Sequence, residues 1–87
     1  MSIVPLLREN AFDPKAVATL AAAFDAAWET VQKSGSPLAS EAEATATRER
    51  LAKRIIEMGK QGERDHKRLV ADALAYLSGK ADRKSVV

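Results

Sequence analysis

The chain has 87 residues, 46% of them apolar, with 14 Lys and Arg against 12 Asp and Glu and no cysteine. That length admits one domain with a thin core, since so small a chain buries only about 60% of its unfolded surface; the lack of cysteine excludes disulfides and thiolate nucleophiles or ligands and fits a reducing, cytoplasmic setting. The net charge of +2 hides an asymmetry, −3 over residues 1–47 and +5 over residues 48–87, which suits head-to-tail packing, antiparallel dimerisation or a polyanionic partner.

In chain order, Met1 to Glu9 has no basic leader and its apolar run breaks at Arg8, so it reads as neither signal peptide nor membrane span. Ile3, Val4, Leu6, Leu7 and Phe12 are too many large apolar groups for a solvated tail. They are expected to dock on the rest of the fold or on a second subunit.

Phe12-Asp13-Pro14 starts a helix. Asp13 can cap the free backbone N–H groups, Pro14 suits the first helical position, and Phe12 can staple against Val17. The helix is expected over about residues 14–33, with Val17, Leu20, Ala21, Phe24, Ala27, Trp28 and Val31 on one core-facing arc. Gly35 and Pro37 end it.

Ser40 and Glu43 have capping-box spacing for a second helix over about residues 41–61. Its apolar surface, with Ala44, Leu51, Ile55 and Met58 extended by Ala52 and Ile56, is wide enough for two neighbours. Its polar face carries Arg50, Lys53, Arg54, Glu57 and Lys60. Gly62 stops it, and Asp65 can cap a third helix over about residues 66–78, with Leu69, Val70, Ala73, Leu74, Tyr76 and Leu77 on its apolar side and His66 at the rim. The fold class is therefore all-α: a three-helix up-down-up bundle with a docked N-terminal segment, one domain over residues 1–79, and a flexible tail over 80–87.

Three motifs carry chemistry elsewhere. Gly59-Lys60-Gln61-Gly62 has the G-x-x-G spacing of a phosphate-clamping KH loop, but no strands flank it. Gly62 to Asp65 followed by His66, Lys67 and Arg68 has the form of a helix-turn-helix, although the preceding helix is long for that unit. Glu63 to His66 reads E-x-x-H, half of a di-iron ligand set that Glu29 or Glu57 would have to extend, yet it lies at a helix start where di-iron ligands lie mid-helix. The serines of the 34–40 turn have no nearby base and no phosphate loop exists, so catalysis is not expected, and no metal or cofactor is assigned.

Phe12-Asp13-Pro14, Trp28, Ser34-Gly35, Leu51 to Ile56 and Gly62-Glu63-Arg64-Asp65 together resemble small uncharacterised helical proteins predicted from bacterial genomes. The resemblance runs from Phe12 to Leu77 and implies a bacterial, cytoplasmic setting but no activity or site residue.

The functional expectation is a non-enzymatic interaction or regulatory module that self-associates as a homodimer or meets another protein. Its contact surface is expected at Ile3, Leu6, Leu7, Trp28, Ile56 and Tyr76, more large apolar groups than so small a bundle readily buries at once. The alternative is a nucleic-acid-binding protein using Arg50, Lys53, Arg54, Lys60, Arg64, Lys67 and Arg68 against phosphates. Metal-dependent redox chemistry in a dimer ranks third, and no membrane partner is expected.

Overall fold

The computed structural model describes residues 3–77, so the expected tail over 80–87 and the helix end at Ser78 and Gly79 lie outside the described residues. Four α-helices and one 3-10 turn follow in order: α1 (Val4–Glu9), α2 (Pro14–Lys33), the turn (Pro37–Ala39), α3 (Ala44–Lys60) and α4 (His66–Leu77). Helices α2, α3 and α4 pack pairwise against one another, and α1 leans on α2. The expected all-α bundle is the architecture, and the N-terminal segment docks on it as a helix of its own.

Local chemistry explains most boundaries. Asp13 accepts the Ala16 N–H at 2.7 Å, and Asp65 accepts the Arg68 N–H at 3.2 Å, so both expected caps form. At the end of α3 the Glu63 N–H reaches the Met58 carbonyl and the Gly62 N–H the Gly59 carbonyl, both at 3.0 Å. This is a Schellman closure, with Gly62 at φ 97° supplying the left-handed residue. Helix α1 closes in the same manner through Ala11 and Phe12. There the left-handed residue is Ala11 at φ 64°, a conformation that costs a side-chain-bearing residue about 1 kcal/mol more than glycine.

The expected capping box at Ser40 and Glu43 does not form. Glu43 is the N-cap of α3 and no side chain caps it. The Ser36 hydroxyl instead takes the Leu38 N–H at 3.1 Å and starts the 3-10 turn, after which the Ser40 backbone carbonyl, rather than its hydroxyl, accepts from Ala44 at 2.8 Å. The regular helix therefore begins at Ala44, three residues later than the box implies. The linker is fastened to α3 by Thr47, the one buried polar residue among those described, whose hydroxyl donates to the Leu38 carbonyl at 2.7 Å.

The core lies where the three long helices meet. Leu20, Phe24, Leu51, Ile55 and Leu69 are at most 1% exposed, and each contributes roughly 1.5–3 kcal/mol by leaving water. Ala23, Ala27 and Ala73 are wholly buried beside them and occupy little volume, which lets the helices approach closely. Ile3 and Leu7 complete the same cluster from α1. Phe12, Val17, Trp28, Ile56 and Val70 pack on its edge.

Candidate protein-interaction groove

The six residues expected to form an apolar contact surface separate into three pairs. Ile3 and Leu7 are 2% and 0% exposed and belong to the chain's own core. They sit at i, i+4 on the inner side of α1, so docking that helix covers both, and neither is available to a partner in this fold.

Trp28 and Tyr76 are half-buried, and each is roofed by an arginine. The Arg48 guanidinium lies 5.2 Å from the Trp28 ring centre, and that of Arg54 lies 5.4 Å from the Tyr76 ring centre. A guanidinium over a ring gains electrostatic attraction while its methylene stem covers apolar surface. Phe12 receives the same cover from Arg64 at 5.6 Å. Sequence alone does not pair these arginines with the aromatics, because partners 20 or more residues apart meet only once helix packing is set.

Leu6 and Ile56 remain, and the structure brings them together. Leu6 is 36% exposed, the one large hydrophobic residue exposed among those described. It lines an open groove of about 630 Å³ with Ala46, Glu49, Arg50, Ala52, Lys53 and Ile56. Helix α1 supplies one side and α3 the other. A neighbouring hollow of about 440 Å³ shares Lys53 and Ile56 and extends the surface to Arg54, Lys60 and Tyr76. The groove lining contains no hydroxyl, thiol or imidazole, so what it offers a ligand is apolar contact and charge pairing. Ala52 was expected to widen the apolar side of this helix, whereas Ala46 and Glu49 were not singled out in the sequence; the signal that marks them is the three- and four-residue spacing of Ala46, Glu49, Lys53 and Ile56 along one side of α3.

The basic set divides as well. Arg54 is engaged within the bundle: its Nη2 donates to Asp72 at 3.1 Å, its Nε to the other oxygen of the same carboxylate, and its Nη1 reaches Glu57 at 3.3 Å. This fork ties α3 to α4 with the two-point geometry that favours arginine over lysine. Arg64 donates to the carbonyls of Gly59 and Glu63 at 2.7 and 2.8 Å, closing the α3–α4 turn. Arg50, Lys53, Lys60, Lys67 and Arg68 stay exposed, the first three on α3 and the last two in the first turn of α4.

The remaining motifs have structural roles. Gly59 is inside α3 and buried, and a Cβ there would lie 2.7 Å from a Leu20 methyl and 3.1 Å from the Phe12 ring. It is a point of close helix approach, so the G-x-x-G tetrad is a helix end and not a phosphate loop. His66 is exposed at the start of α4, and the Glu63 carboxylate accepts the Asp65 N–H at 3.1 Å. Among the described residues no three His, Asp or Glu side chains gather as a metal site, and no helix is long and apolar enough to cross a membrane. Comparison of the chain with protein-family models, curated proteins and solved structures finds no match.

Proposed function

We propose that this chain is a small non-enzymatic interaction module, acting in a bacterial cytoplasm, that self-associates through the groove between α1 and α3. The observation that carries this reading is that Leu6 and Ile56 line one open groove, whereas Ile3 and Leu7 are buried in the core and arginines lie over Trp28 and Tyr76. An apolar strip with a charged rim is the ordinary composition of a protein contact. The test is sedimentation equilibrium of the full chain up to high micromolar concentration, with Ile56→Glu beside it. A carboxylate buried without a partner in the contact weakens association about tenfold or more, while helicity by circular dichroism stays near that of the parent chain because Ile56 lies at the edge of the core. A chain that is monomeric throughout overturns the proposal.

Nucleic-acid binding is the second reading, supported by the five exposed cations on α3 and α4. It predicts binding that falls steeply with salt as counterions are released and is lost on reversing the charges of Lys53 and Arg54. Arg54 also holds Asp72, so Lys53→Glu alone is the cleaner variant.

A further inference from the structure

The outer side of α3 carries Ala46, Glu49, Lys53, Ile56 and Lys60 at alternating spacings of three and four residues, the spacing of a coiled-coil seam. Ala46, Glu49, Lys53 and Lys60 are exposed and Ile56 is half-buried. Neither Glu49 nor Lys53 enters an ion pair among the described residues. We propose that the occupant of the groove is α3 of a second copy, packed antiparallel about a two-fold axis level with Leu51. The proposal rests on the self-association reading above and specifies its geometry.

The pattern is self-complementary in that register. An antiparallel pair centred on residue 51 brings Ala46 level with Ile56 of the second copy and Glu49 level with its Lys53, and the two-fold repeats both layers in reverse. Small faces large in the outer layers, and opposite charges meet in the inner ones. A parallel pairing would instead place Glu49 on Glu49 and Lys53 on Lys53, which like-charge repulsion disfavours. Lys60 comes level with the second copy's turn at Glu41 and Glu43, both exposed. Leu6 shares the groove with Ile56 and adds apolar contact from α1. Arg50 flanks the seam near the two-fold and approaches its own symmetry mate, which opposes association. With 17 residues, α3 spans about 25 Å, and one helix pair of that length buries less than the roughly 800 Å² per partner of a standard interface. The complex is therefore a weak one, in rapid exchange.

Charge exchange tests the register. Glu49→Lys sets lysine against lysine and Lys53→Glu sets glutamate against glutamate, so each variant alone self-associates about tenfold or more less tightly than the parent chain. An equimolar mixture of the two restores opposite charges in every inner layer. Isotope-labelled Glu49→Lys protein titrated with unlabelled Lys53→Glu protein should show parent-like affinity by NMR, with shifts centred on α3; a change confined within one helix cannot produce this rescue. The native chain has no cysteine, so chains carrying Ala46→Cys and Ile56→Cys provide an independent readout. Mixed, they should form the 46–56 disulfide in preference to the 46–46 one. If the parent chain associates but the mixture is no tighter than either variant alone, the antiparallel register is wrong and self-association through another face stands. If the parent chain is monomeric to about 1 mM, an affinity equivalent of only about −4 kcal/mol, both readings fall, and salt-sensitive binding of an oligonucleotide at Lys53 would assign the face to nucleic acid instead.

Discussion

On its inner side α3 presents Thr47, Leu51, Ile55 and Gly59, all buried, whereas Ala46, Glu49, Lys53 and Ile56, further round the same helix, line an open groove. The inner side has no slack: one added methyl at Gly59 would meet Leu20, and the Thr47 hydroxyl is committed to the linker. The outer side borders an open groove of about 630 Å³. The contrast teaches that a wide apolar surface on a small helix need not be a single interface. Two neighbours within the chain cover most of it, and only a residual strip stays open.

The contrast breaks first at Leu51, which is wholly buried and has counterparts from α2, α4 and α1 in the same cluster. Leu51→Ala removes apolar contact and leaves a cavity, at a cost of about 2–5 kcal/mol. In a domain of this size, whose total stability is roughly 5 kcal/mol, denaturant titration should show a largely unfolded or barely folded chain. A loss below about 1 kcal/mol would mean that the inner side is far more yielding than its packing implies.

Gly59→Ala is the finer probe of the same side. Alanine favours a helix interior over glycine by about 1 kcal/mol, so a stabilised protein is the expectation from propensity alone. The added Cβ lies 2.7 Å from Leu20 Cδ1, however, and Leu20 is 0% exposed, so it cannot swing away into solvent. Overpacking of this kind costs about 1–3 kcal/mol, and the net outcome is a destabilisation of about 1 kcal/mol, read as a lower denaturation midpoint at unchanged slope. A higher midpoint would show that propensity prevails and that α2 and α3 can separate slightly.

These two sites also mark what could be read without coordinates. The starts of α2 and α4 and the ends of α2 and α3 were legible because Asp13-Pro14, Asp65, Gly35 and Gly62 act within one turn of themselves. The arc from Val17 to Val31 was legible because helical periodicity is local. Helix α1 was not, since six residues containing Pro5 and no side-chain cap form a helix only when Ile3 and Leu7 find the core. The Ser40–Glu43 box failed through competition: Ser36 starts a 3-10 turn four residues earlier and sets the path into α3. At the candidate site, Ile56 and Leu6 were named from their size alone. Which of the six apolar residues stay open was decided by Arg48, Arg54 and the docking of α1, all of them contacts between distant parts of the chain.

Arg48 gives the smallest effect and the sharpest reading of what a roof contributes. It stands at the border of the inner side of α3, with its guanidinium over Trp28, and its Nε is buried without a hydrogen-bond partner. Two opposing contributions follow: the cation–π attraction of about 0.5–1 kcal/mol at a partly exposed site, and the cost of a buried N–H donor left unsatisfied, about 1–3 kcal/mol when complete. Arg48→Met keeps a long apolar stem over the ring and removes both. The expected change in stability is small and favourable, about 0–1 kcal/mol, because even a partial relief of the unsatisfied donor offsets the lost attraction. Trp28 is the chain's one tryptophan, so its fluorescence reports the cover directly. The Met variant should keep the parent emission maximum, while Arg48→Ala, which strips the stem, should shift it to the red. A red shift in Arg48→Met as well would mean that charge, not apolar cover, holds the roof in place. Salt would then loosen the Trp28 flank and shift its emission further to the red.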